Sequence, residues 1–80
     1  TDPSPVVRIA ALNVIENMSA EIRVRFAFPM LNDPIRAVRI EAARVLASLP
    51  VGELKVEQQA LLVKGLKEYI DAQLAMAERP

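Results

Sequence analysis

The sequence predicts an all-α fold, an α-solenoid of two helix pairs, with about four helices of which the last is the longest. Three observations predict it. First, the phrase TDPSPVVRIAALNVI (1–15) returns as NDPIRAVRIEAARVL (32–46). A displacement of 31 positions sets Asp2 on Asp33, Pro3 on Pro34, Val7 on Val38, Arg8 on Arg39, Ile9 on Ile40, Ala11 on Ala42 and Val14 on Val45. A repeat of that length marks stacked helical units, because one helix pair cannot bury two apolar faces, whereas a second pair laid on it can. Second, apolar residues recur at helical spacing through most of the chain. Third, 52% of the 80 residues are apolar, more than a monomer of this size buries, so some faces are expected to meet neighbours.

The first helix starts at Asp2-Pro3-Ser4-Pro5. Asp2 or Ser4 can accept from a free N–H, and Pro3 or Pro5 suits a first turn that needs no donor. Val7, Ala11, Val14, Ile15 and Met18 form its main stripe, with Ile9 and Leu12 on a second side, and it should end near Asn17 to Ser19. Ser19-Ala20-Glu21 opens the second helix, with Ser19 as cap and Glu21 favourable in the first turn. Its stripe is Ile22, Phe26 and Leu31, with Val24 and Phe28 beside it. Pro29 cannot donate to Arg25 and should kink or stop it. The run IRVRFAF alternates enough for a strand, but a lone strand would have no pairing partner, so helix is preferred.

Asn32-Asp33-Pro34 repeats the cap-and-proline start. Val38, Ala42, Val45, Leu46 and Leu49 form one stripe of the third helix. Ile40, Ala43 and Ala47 form a second of mostly small residues, which lets another helix come close. Leu49-Pro50-Val51-Gly52 ends it. The fourth helix should run from about Val56 to about Ala77. Its stripes are Val63, Leu66, Ile70, Leu74 and Ala77, and, a heptad apart, Leu62, Tyr69 and Met76. Together they span roughly 160°, wider than the roughly 100° of a one-sided surface helix, so it should pack on two sides. Gly65, inside it, marks a close crossing or is simply tolerated at a cost of about 1 kcal/mol relative to alanine.

The phrase NDPIRAVRIEAARVLASL resembles a HEAT repeat of the short bacterial kind. Asp-Pro stands in the inter-unit turn, Val-Arg one turn into the helix, and an alanine-rich stripe ends in leucine. TDPSPVVRIAALNVI resembles it nearly as closely. The resemblance covers residues 1–49 and implies one HEAT-like domain over 1–80, with a first unit at 1–31 and a second at 32–80 that carries the extended terminal helix. ALLVKGLKEYIDAQ…AERP resembles the run-in to tetratricopeptide repeats of large bacterial proteins that carry HEAT-like repeats ahead of such an array. The chain opens without methionine and closes on AERP directly after a helical pattern, and is read as a segment of such a parent. The resemblance also implies a structural ladder between successive turns, formed by Asp2, Arg8, Asp33 and Arg39. A carboxylate at a helix start can indeed cap free N–H groups and accept from a guanidinium.

Composition narrows the function. Ten basic and ten acidic residues cancel, so no net field draws the chain to nucleic acid or an anionic membrane. The chain lacks Cys, His and Trp, which removes thiol nucleophiles, disulfides and zinc-type ligand sets. No apolar run is long enough to span a bilayer and no signal peptide is evident, so the compartment stays undetermined. Arg23, Arg25, Arg36, Arg39 and Arg44 fall within 22 residues. Glu21, Asp33 and Glu41 are interleaved with them, and no aromatic stands among them to stack bases. Glu21, Glu41, Glu57 and Glu68 could supply acid–base groups, but lie on different helices without a nucleophile. HEAT-like repeats also occur in bilin lyases, yet no residue here suggests a pigment site.

The expectation is therefore a non-catalytic scaffold or protein-interaction segment, not an enzyme, with no cofactor and no metal. Its rivals are a nucleic-acid-binding HEAT module and a regulatory segment of an enzyme whose active site lies outside this chain. Phe26, Phe28 and Tyr69 read as core. The expected partner is protein, either flanking repeats or a second copy docked on the terminal helix through Leu62, Tyr69, Met76 or their neighbours. Arg36, Glu41 and Arg44, which do not repeat, are the candidate partner contacts.

Overall fold

The computed structural model describes residues 4–50, 52 and 54–77. Four α-helices follow in order: α1 Pro5–Ile15, α2 Ala20–Ala27, α3 Arg36–Leu46 and α4 Val56–Ala77, with a 3-10 helix, Phe28–Asn32, between α2 and α3. No strand occurs among the described residues. The IRVRFAF run is helical, as its flanks required.

Local chemistry sets the boundaries. The Ser4 hydroxyl accepts from the Val7 N–H at 3.2 Å, and Pro5 occupies the first turn, where its missing donor costs nothing. The Ser19 hydroxyl accepts from the Ile22 N–H at 3.4 Å. Pro29 ends α2: the last α-type bond runs from the Phe28 N–H to the Val24 carbonyl, and the tighter 3-10 turn takes over. The second Asp-Pro works differently from a simple cap. Ile35, not Asp33, precedes the first turn of α3, and the Asp33 carboxylate accepts from the Ile35 N–H at 2.9 Å. Asp2, its repeat counterpart, lies outside the described residues.

α3 is the centre of the molecule. It packs on α1, α2, the 3-10 helix and α4, and buries Val38, Ala42, Ala43, Val45 and Leu46. Around them lie Leu12 of α1, Ala27, Phe28 and Leu31 from the α2 region, Leu49, and Leu62 of α4. Small residues on α3 let α4 cross closely. A Cβ on Gly65 would stand 2.8 Å from Leu31 Cδ2 and 3.2 Å from Ala43 Cβ, so glycine here serves the crossing.

Two helices present a different side from the one expected. α1 buries Leu12 and half-buries Ile9 and Ile15, while its expected main stripe faces out. Val7 and Val14 are 54% and 62% exposed, whereas their repeat counterparts Val38 and Val45 are 0% and 2% exposed. The reason is position: α3 packs against α1, α2, the 3-10 helix and α4, whereas α1, the first helix, packs mainly on α3 and α2 among the described residues. In α4, Leu62 is buried and Tyr69 packs against the core, so neither is available to a partner. Val63, Ile70 and Leu74 turn outward, each more than half exposed. Phe28 is core, as expected, but Phe26 is largely exposed beneath the Arg25 guanidinium, 5.7 Å from the ring centre.

Candidate functional site

The charged residues form clamps between helices. Arg8 of α1 reaches across to Asp33, with Nη2 donating to Oδ1 at 3.1 Å and Nε 2.6 Å from Oδ2. Arg39 of α3 donates to the Asp33 carbonyl at 2.8 Å and, as a fork, to both oxygens of Glu68 on α4, at 3.0 and 3.2 Å. Arg36 lies against the same Glu68 at 3.4 Å. A guanidinium suits such two-point carboxylate pairing because its donors are planar and fixed. Asp33 thus joins α1, the α2–α3 connection and α3, using its carboxylate for two partners and its carbonyl for a third.

A second clamp lies at the other end of α1. Arg44 donates to Glu16 at 2.7 and 3.1 Å and to the Asn13 side chain at 3.3 Å, and also pairs with Glu41 one turn earlier on α3. A third joins α2 to the end of α3, where Arg23 donates to the Ser48 hydroxyl at 2.8 Å. A cation suits that position, since the C-terminal end of a helix carries partial negative charge.

The candidate partner contacts therefore divide. Glu41 and Arg44 are committed to the clamp on α1, while Arg36 keeps 57% of its side chain in solvent. Of the four ladder candidates, Arg8, Asp33 and Arg39 meet at one inter-helix junction, and Asp2 falls outside the described residues. Sequence reasoning missed Glu16, Glu68, Asn13, Arg23 and Ser48 as members of these clamps. Their partners lie 22 to 32 residues away, and only the packed helices bring them together.

Electrostatics follow the pairing. Burial pushes the Asp33 carboxyl up, but the Ile35 N–H and the guanidinium groups of Arg8 and Arg39 outweigh it and hold the pKa below the ordinary value. The Arg39 hydrogen bond lowers Glu68, and the Arg44 hydrogen bond lowers Glu16. Each carboxylate is thus more acidic folded than unfolded. Its stabilisation is complete above the ordinary values, 3.8 for Asp33 and 4.5 for Glu16 and Glu68, and is lost as pH falls through the lower folded values. Melting temperature should hold steady from about pH 6 to 8, where no side chain of ordinary pKa titrates in a chain without His or Cys, and fall steeply below about pH 4. Thermal melts across that range check it.

Asp33→Ala removes the carboxylate from both Ile35 and Arg8. We expect a loss of about 1–3 kcal/mol, and a Tm lower by several degrees. A Tm equal to that of the unaltered chain would show that the Asp33 carboxylate contributes nothing.

Among the described residues, no three His, Cys, Asp or Glu side chains gather as a metal-binding group, and no helix is long and apolar enough to cross a membrane. A cleft of about 320 Å³ lies between α2 and the α3–α4 connection, lined by Ala20, Glu21, Val24, Leu49, Leu54 and Gln58. Glu21 is the charged residue of its described lining, which holds no nucleophile or second acid–base group. The remaining feature with binding potential is apolar: α1 with Val6, Val7 and Val14 outward and Met18 in the turn after it, and α4 with Val56, Val63, Ile70 and Leu74 outward. No protein-family model, curated protein or solved structure matches the chain.

Proposed function

We propose that the chain is a non-catalytic protein-interaction segment, a stack of two HEAT-like helix pairs that holds protein neighbours at fixed positions on its two outer helices. One observation carries the reading. Three apolar residues on or just after α1 stand exposed although their repeat counterparts, on or just after α3, are buried. Val7 answers to Val38, Val14 to Val45 and Met18 to Leu49, and each is open in the first unit and closed in the second. The same apolar pattern kept on a face without a neighbour indicates a surface built for one, since contiguous exposed apolar patches mark interaction sites. The clamps add stiffness. Arg8, Arg23, Arg39 and Arg44 each tie one helix to another element.

The same pairing weighs against nucleic acid as the partner. Within the arginine cluster, Arg36 and Arg39 are answered by Glu68 and Arg44 by Glu16 and Glu41, which leaves less unneutralised charge for phosphate.

A longer chain, with a second copy of residues 1–31 placed ahead of Thr1, tests the reading. The added pair should fold onto α1 and raise the Tm above that of the 80-residue chain. An added segment that leaves helix content and Tm unchanged would sink the reading. Micromolar binding to DNA or RNA at low salt, with steep salt dependence, would replace it by the nucleic-acid reading.

A further inference from the structure

α4 has one face too many for the molecule that carries it. Its inner side is taken up by Leu62, by Gly65 against Leu31 and Ala43, and by Tyr69. Its outer side carries Val56, Ala60, Val63, Lys67, Ile70 and Leu74, all exposed. Those six alternate in steps of four and three residues, which is a coiled-coil seam. At about 100° per residue they fall within an arc of about 80°, so they form one narrow stripe. Beside it runs a column at heptad spacing, Glu57, Lys64 and Asp71, also exposed. From Gln73 to Met76 the helix is exposed on every side, so its last turns reach past the core.

We propose that this stripe pairs with the same stripe of a second copy of the chain, the two α4 helices running antiparallel. The reading rests on the protein-interaction function above and names the partner of one face. Charge selects the copy and the direction. In an antiparallel pair the flanking column meets itself reversed, and columns of this kind set partner and orientation. A two-fold axis at the level of Glu68 puts Val63 against Leu74 of the other copy and Lys67 against Ile70. In that register Lys64 lies beside Asp71 of the other copy, and symmetry makes the contact twice. The register centred between Lys64 and Gly65 sets Lys64 against Lys64 and Glu57 against Asp71, which like charges oppose. A parallel pair would set the column against Gln59, Leu66 and Gln73, with no ion pair to gain. The projecting end of each α4 lies against the first half of the other.

Sedimentation equilibrium of the 80-residue chain at about 0.1 mM should show a dimer, well within reach of micromolar affinity. Ile70→Asp should weaken it at least tenfold with helix content unchanged, since Ile70 is outside the core. Lys64→Glu should weaken it several-fold, and Lys64→Glu combined with Asp71→Lys should restore it. Direction has its own readout, because the chain has no cysteine. Val63→Cys mixed with Leu74→Cys should oxidise to a cross-linked pair, and neither variant alone should cross-link as well. A monomer at that concentration overturns the proposal, as does an Ile70→Asp variant that dimerises unchanged. If Val14→Asp dissociates the dimer and Ile70→Asp does not, the contact lies on α1. The proposal then falls while the protein-interaction reading stands.

Discussion

Gly65→Val should destabilise the fold by about 2–3 kcal/mol, the upper part of what added bulk costs in a packed interior. The physical basis is the crossing of α4 over α3 and the 3-10 helix. Even a bare Cβ on Gly65 would stand 2.8 Å from Leu31 Cδ2 and 3.2 Å from Ala43 Cβ. Leu31 is buried and Ala43 is fully so, so the leucine has little room to rotate and the alanine none. Valine adds two methyl groups to the same gap, and α4 must lift from α3. Helix propensity acts the other way, by about half a kcal/mol for glycine to valine, and is outweighed. Gly65→Ala sharpens the test. It gains about 1 kcal/mol of propensity against a lesser overlap, so it should lie close to neutral. At roughly 4–8 °C per kcal/mol for a domain of this size, the valine variant should melt about 8–24 °C lower. A double-mutant cycle with Leu31→Ala assigns the cause. With the leucine methyls gone, valine should cost less than it does in the intact chain, and equal costs in both backgrounds would rule out the close approach.

The helices were legible because their signals are local. Ser4, Ser19 and Pro29 act within four residues of themselves, and they place two starts and one stop where the structure has them. The core face of α3 was legible too, since Val38, Ala42, Val45, Leu46 and Leu49 are all buried. The core face of α1 was not, although its stripe uses the same residue types at the same spacing. Periodicity reports which side of a helix is apolar and is silent on whether anything lies against it. The clamps were half legible. The Asp33–Arg39 part lies within one phrase, but Glu16–Arg44 and Glu68–Arg39 join helices 28 and 29 residues apart in the chain. Such pairs follow from helix crossing, which no local pattern encodes. Gly65 could be read as a contact or as an accident, and only the 2.8 Å approach of Leu31 decides it.

Leu12→Ala should be the costliest single truncation in α1, at about 3–5 kcal/mol, and Val14→Ala should stay within about half a kcal/mol of the unaltered chain. Leu12 is α1's one fully buried side chain among the described residues, and Ile9 and Ile15 are only partly covered. Its loss leaves α1 held mainly by its ion pairs, Arg8 to Asp33 and Glu16 to Arg44. Half-exposed pairs of the second kind contribute little on their own. α1 should then open ahead of the rest, and amide exchange should quicken first over residues 5–15. The comparison with Val14 makes the experiment more than a test of packing. Val14 occupies in the first unit the place that Val45 occupies in the second, and Val45 is buried. In the 80-residue chain truncating it should be silent. With another helix pair folded onto α1, the same truncation should cost about 1–2 kcal/mol, the price of a newly buried methyl pair. A residue whose cost appears only when a neighbour does would separate a face shaped for stacking from one that is merely apolar. If Val14→Ala were costly in the 80-residue chain and Leu12→Ala were not, α1 would have to be turned by about half a revolution, and the clamps at Arg8 and Glu16 could not form.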